Sequence, residues 1–159
     1  MILYHGSNIV VKEPKIVNPN RFLDFGVGFY TTTNKSQAMN FAKKVASNRG
    51  GTAIVNIYQF DDNCLNCLKN IKIFEEPNAE WIDFVSNYRN GIAKNDNYDL
   101  VIGPVADDDV YRSFQLYLTG LLTIDQTINV LKIKKLFNQY VFKNEKSLSY
   151  LRFIEAEEV

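Results

Sequence analysis

Histidine is almost missing from this sequence, and so are cysteine and tryptophan: the 159 residues hold one His, two Cys and one Trp. The two cysteines, Cys64 and Cys67, make a single Cys-x-x-Cys with no second pair. A structural zinc needs four ligands and a disulfide framework needs more pairs, so these read as reduced, mostly structural thiols, and no metal is expected. Net charge is absent as well, with 18 basic against 18 acidic side chains. That balance removes the broad basic surface used in phosphate-driven binding to nucleic acid, while leaving room for a small nucleotide or a locally basic groove. No apolar run approaches the length of a bilayer span, and the chain opens with a short strand rather than a basic segment leading into a long apolar stretch. The expectation is a cytoplasmic protein, made of one compact α+β domain over residues 1–159 without repeats or linkers.

What the chain does have is aromatic mass, nine Tyr and eleven Phe, and two places where glycine meets strand-forming residues. Asp24-Phe25-Gly26-Val27-Gly28-Phe29-Tyr30-Thr31-Thr32-Thr33 puts two glycines directly before a run of strand composition. Asn34 then stands where a helix cap belongs and Gln37 at the reciprocal capping position, followed by Ala38, Phe41, Ala42 and Val45 at helical spacing. A Gly-x-Gly before a strand more often marks a hairpin or bulge than a ligand site, so the second stretch carries weight. Met1-Ile2-Leu3-Tyr4-His5-Gly6-Ser7 is an apolar strand that delivers the sole histidine to a strand end. A lone histidine is commonly a satisfied structural residue; one flanked by a glycine and a hydroxyl suits a ligand better than a core.

Asn8 to Leu23, with Pro14, Pro19 and several Asn, reads as an irregular crossing, and its Arg21 fits a solvated loop. The helix over 35–47 stops at Gly50-Gly51, and strands follow at 52–60 and 71–74. Trp81, Phe84, Val85 and Tyr88 repeat the spacing of an amphipathic helix over 79–89. A buried strand over 98–104 leads to Asp107-Asp108-Asp109, which opens a helix with Val110, Phe114, Tyr117 and Leu118 facing inward. Consecutive carboxylates on a helix point in different directions, so capping is favoured over a metal site. A helix over 123–132 runs into a basic cluster, Lys132, Lys134 and Lys135, which is a solvated face or a contact for an acidic or polynucleotide target. A strand over 139–142 and an apolar run over 148–154 precede the acidic tail Glu155-Ala156-Glu157-Glu158.

His5-Gly6-Ser7, then Phe25-Gly26-Val27-Gly28-Phe29-Tyr30 with Ser36, then Asn138-Gln139-Tyr140-Val141 resemble, in order and spacing, the ADP-ribosyltransferase superfamily in its diphtheria-toxin-like branch, which includes the poly(ADP-ribose) polymerases. The departure is Gln139, where that branch carries a glutamate. The chain is also similar, over nearly its whole length, to an uncharacterised bacterial family of the same clan with a segment like Tyr98-Asp99-Leu100-Val101-Ile102-Gly103-Pro104-Val105-Ala106-Asp107-Asp108.

The resemblance implies a split pair of small antiparallel sheets with flanking helices, and NAD as co-substrate in the cleft between them, where His5, Tyr30 and Gln139 converge. It implies that the Gly6 backbone and the Ser36 hydroxyl hold the nicotinamide carboxamide, that Tyr30 and Phe41 stack on its ring, and that His5 bonds an adenosine-ribose hydroxyl. Arg21 would lie at the pyrophosphate, with Ser7 and Gly28 also in the NAD site, and Gln139 beside the nicotinamide ribose. As a stacking residue rather than core, Tyr30 should tolerate replacement by Ala with little loss of stability. An amide at 139 hydrogen-bonds but carries no charge and takes no proton. The expected activity is therefore mono-ADP-ribosylation of a protein or nucleic acid acceptor, by a bacterial toxin or defence factor with a cognate antitoxin as partner. A catalytically inactive NAD or ADP-ribose-binding module is the alternative.

Overall fold

The apolar N-terminal run forms strand β1 (Ile2–Ser7), and the residues after the glycine turn form β2 (Phe29–Thr32). This geometry comes from a computed structural model that describes residues 1–18, 21–93, 96–134 and 136–159. Pro19 of the irregular crossing and Lys135 of the basic cluster lie outside the described residues. The remaining strands are β3 (Ile54–Phe60), β4 (Ile71–Ile73), β5 (Leu100–Pro104), β6 (Asn138–Phe142) and β7 (Leu151–Glu158). Helices are α1 (Lys35–Arg49), α2 (Cys64–Cys67), α3 (Ala79–Arg89), α4 (Asp108–Leu118), α5 (Ile124–Ile133) and α6 (Glu145–Leu148).

The fold is α+β, but its strands form one seven-stranded sheet in the order β4-β5-β6-β2-β1-β3-β7 rather than two separate sheets. Its neighbours are antiparallel except β4 and β5, which run parallel. A trace of the expected split survives at the middle. Between β1 and β2 a single pair is in register, Tyr4 with Thr32, whereas β1 and β3 pair continuously from Ile2–Gln59 to Ser7–Ile54.

Strand alternation sorts the side chains into two layers. On one face, Tyr4, Val55 and Ile57 pack under α1 with Ala38 and Ala42. On the same face, Val101 and Val141 pack under α3, α4 and α5 with Trp81, Val85, Val110, Phe114 and Leu131. The opposite face carries Leu3, Phe29, Tyr58, Phe60, Leu100 and Phe142, covered by Val11 and Ile16 of the long loop, by Cys64 of α2 and by Leu148 of α6. Cys64 is thus core and its thiol is pushed up to about 11 by burial, while Cys67 is exposed.

Local signals account for most helix ends. Asn34 caps α1 by accepting from the Gln37 N–H, and Gly50 ends that helix at φ 78°. Asp107 caps α4 through the Val110 N–H, as its position in the acidic triplet suggested. Other expectations fail. Gln37 does not close a reciprocal capping box, because its side chain turns to Thr32 instead. The acidic tail is no tail, since Glu155 to Glu158 extend β7 along β3, where an edge strand tolerates charge on its solvent side. Leu118, expected to face inward, is 50% exposed at the end of α4.

Gly6 lets α1 sit on the sheet: a Cβ there would lie 2.3 Å from the Ala38 carbonyl oxygen and 2.8 Å from the Ala42 nitrogen. Both atoms belong to helix backbone and neither can yield without moving α1. Gly6→Ala is therefore expected to lower stability by about 1–3 kcal/mol, the range for overpacking, read as a fall in Tm by thermal unfolding. An unchanged Tm would show that α1 is free to lift off β1.

Candidate functional site

The glycine turn before β2 is fastened on every side. Gly26 adopts φ 73°, and a Cβ there would meet the Tyr88 ring at 2.6 Å, so the residue is needed both for its conformation and for space. The Tyr30 hydroxyl accepts from the Phe25 N–H at 3.0 Å and donates to the Gly26 carbonyl at 2.7 Å. Lys143 donates to the Phe25 carbonyl and forms a 2.9 Å ion pair with Asp96, which also accepts from the Tyr88 hydroxyl. Burial lowers the Lys143 ammonium, a shift opposed by Asp96. Gly28 packs against Val141 of β6, where a side chain would collide at 2.6 Å.

The first residue of the motif is tied more firmly still. Asp24 accepts from Arg89 Nε at 2.6 Å, from the Ala106 N–H at 3.1 Å and from Gln139 Nε2 at 3.2 Å. Arg89 also donates to the Ala106 carbonyl and lies 4.4 Å over the Tyr111 ring. Burial pushes the Asp24 carboxyl up, and Arg89 beside it opposes that shift. All three partners are donors, the surroundings an ionised carboxylate requires. Sequence reading passed over Asp24 and Arg89; the only available signal was an acidic residue immediately before Phe-Gly-x-Gly.

The three residues expected to converge do not all do so. Tyr30 pairs with Val141 and Gln139 with Thr32, so Tyr30, Thr32 and Gln139 share the helix-covered face of the sheet. His5 alternates with Tyr4 and lies on the other face, stacked on Phe29 with ring centroids 4.4 Å apart. Its Nδ1–H donates to the Tyr30 carbonyl at 2.7 Å, bridging the strands where their ladder ceases. A carbonyl only accepts, so Nδ1 carries the proton and Nε2 keeps the lone pair. The 9–11 segment closes over this side, its backbone held by Asn56 and by the Tyr58 hydroxyl. Ser7, on the same side, accepts from the Ile9 N–H.

On the helix-covered face, Gln37, Phe41 and Lys44 occupy one flank of α1 at i, i+4 and i+7. Gln37 accepts from the Thr32 hydroxyl at 2.6 Å and Lys44 reaches Asp108 at the start of α4, 3.4 Å away. That flank therefore faces β2 and α4, and Phe41 stands between these two contacts with 43% of its surface exposed. α1 and the N-terminal end of α4 thus approach one another over this face of the sheet, where Thr32 and Gln139 are both buried. Ser36, one residue and about 100° round the helix from Gln37, is exposed, so the start of α1 turns Gln37 and not Ser36 towards β2. Arg21 is exposed and makes no ion pair among the described residues. Two shallow depressions, of about 500 and 370 Å³, lie along residues 9–15 and at Met1 with residues 59–63; neither is lined by His5, Tyr30 or Gln139. Among the described residues, no group of His, Cys, Asp and Glu is arranged to hold a metal ion, and no helix is long and apolar enough to cross a membrane.

A family model described as a protein of unknown function, DUF3990, matches residues 1–153, and the chain belongs to that family. No curated protein and no solved structure matches it.

The geometry revises the expected behaviour of Tyr30, which packs against the core under α3 and secures the turn with its hydroxyl. Tyr30→Phe is expected to lower stability by about 1–3 kcal/mol through the backbone groups it leaves unpaired, measured by denaturant unfolding; no loss would return Tyr30 to the role of a dispensable stacking residue.

His5 generates a pH prediction. Burial lowers its imidazole below the ordinary 6.5, with the Tyr30 carbonyl opposing the shift. The unfolded chain then takes up the proton first as pH falls, so this contribution to stability is full above about 6.5 and is lost progressively on going lower. NMR titration of the single imidazole should give a midpoint below 6.5; a midpoint at or above that value contradicts the assignment.

Proposed function

We propose that this chain is an NAD-dependent mono-ADP-ribosyltransferase, a cytoplasmic bacterial toxin or defence factor whose cognate antitoxin would be a binding partner. The observation that supports the reading most is topological. The three motifs fall on three adjacent strands, β1, β2 and β6, and the sheet loosens between the first two. Beside them, the flank of α1 carries an exposed aromatic ring, Phe41, next to the Gln37 amide and the Thr32 hydroxyl it accepts from, with Gln139 opposite Thr32 on β6.

In this reading NAD lies along this flank of α1 with its nicotinamide against Phe41. The bond between the nicotinamide nitrogen and the ribose carbon breaks, the bonding pair leaves with neutral nicotinamide, and the ribose develops oxocarbenium character. A lone pair of the macromolecular acceptor, on protein or nucleic acid, forms the new bond to that carbon, and the acceptor proton passes to solvent. Gln139 orients the ribose by hydrogen bonding and takes no proton. A ribose hydroxyl already attached to the acceptor is therefore not activated, and single units are added. His5 serves this arrangement from the far face by holding the β2 backbone at the seam.

A second reading, a catalytically inactive NAD or ADP-ribose-binding module, is favoured by the saturation of the buried carboxylate: Asp24 is engaged by three donors and is not free to act as a base.

Incubation with labelled NAD and cell lysate, followed by separate protease and nuclease digestion, is expected to leave single ADP-ribose units on one class of acceptor. Phe41→Ala should weaken NAD binding by about 1 kcal/mol with little change in Tm, and Gln139→Ala should slow transfer. Polymer on the product would contradict the role given to Gln139. Binding without transfer selects the inactive module, and no binding at all removes both readings.

A further inference from the structure

Gln139 is 5% exposed, and its Nε2 faces two acceptors, Asp24 Oδ2 at 3.2 Å and the Pro104 carbonyl at 3.4 Å. A carbonyl has no proton to give, and Asp24, receiving from Arg89 and the Ala106 N–H, has none either. The orientation of the amide is thereby decided by its neighbours: nitrogen towards β5 and Asp24, oxygen away from them. Among the described residues no donor meets Gln139 Oε1. The residue opposite it is Thr32, whose hydroxyl donates to Gln37 on α1.

We propose that Asp24 is the positioning residue of this site: by holding the amide nitrogen it leaves Gln139 Oε1 as the acceptor for a sugar hydroxyl of the ligand. The proposal rests on the transferase reading for the chemistry of that ligand. It also explains why position 139 carries an amide. A carboxylate in its place would set one anionic oxygen against another at the 3.2 Å now spanned by a hydrogen bond, with the single Arg89 charge beside Asp24 to offset two. Asp24 and Gln139 thus form a matched pair, one supplying the charge and the other the donor.

The test is a cycle of four proteins, the parent, Asp24→Asn, Gln139→Glu and the double variant, each measured for thermal unfolding and for ADP-ribose binding below its unfolding temperature. Each single variant is expected to lower Tm and to weaken ADP-ribose binding roughly tenfold. The double variant should recover part of both losses, because the amide introduced at position 24 donates where the amide at position 139 did. Gln139→Met, which leaves the Asp24–Arg89 pair intact and removes the acceptor, should weaken binding by a similar factor even if Asp24→Asn fails to fold. Equal affinity across the folded variants would make Asp24 a purely structural anchor and overturn the proposal, as would a double variant no better than Gln139→Glu. Failure of the parent itself to bind ADP-ribose or NAD is a different result: it removes the transferase reading and this inference with it.

Discussion

The buried carboxylate of Asp24 is the constraint on which the rest of the structure depends. It draws together the glycine turn, the end of α3 through Arg89, the loop after β5 through Ala106, and β6 through Gln139. Taking such an ion pair out of water is costly, and it persists only where every donor and acceptor finds a partner. Here that requirement is met by groups from four separate parts of the chain. The turn consequently has one conformation, set by its surroundings as much as by its glycines.

From that anchor the neighbouring choices follow. With Asp24 fixed, the Tyr30 hydroxyl lies where it satisfies both Phe25 and Gly26, so a residue resembling a ligand contact becomes a fastening. β2 then leaves the turn at an angle that keeps one registered pair with β1. The unpaired carbonyl beyond that pair is taken by His5. An imidazole reaches further than a backbone N–H, so it bridges a gap that a regular ladder does not.

The other face of the sheet is the one that α1, α3, α4 and α5 cover. α1 approaches the sheet so closely at Gly6 that its Gln37–Phe41–Lys44 flank is left facing α4 across the β2 and β6 strands. An aromatic ring exposed beside fixed amide and hydroxyl groups suits a flat, polar ligand. The carboxylate beside Gln139 is engaged from within the protein by the same interaction that orders the turn.

Several features were legible in the sequence because their causes are local. The N-cap at Asn34, the glycine stop of α1, the aspartate cap of α4 and the apolar strands β3 and β5 depend on residues within a few positions of one another. The α+β class and the order of motifs along the chain were legible for the same reason. Pairing is not local. Whether strands β1 and β2 separate two sheets or join one, and whether Glu155 to Glu158 trail or extend β7, is decided by partners far away in the chain. The placement of the His5 ring on the face opposite the Tyr30 and Gln139 side chains is likewise a matter of register, because one step along a strand reverses the face. Sequence determined which residue types stand where along the chain: the single histidine before Gly6, the glycine turn before β2, the glutamine of Asn138-Gln139-Tyr140-Val141. Only the tertiary structure decided which of them meet, and it set Asp24 against Gln139 because a buried charge takes its donors from wherever in the chain packing brings them.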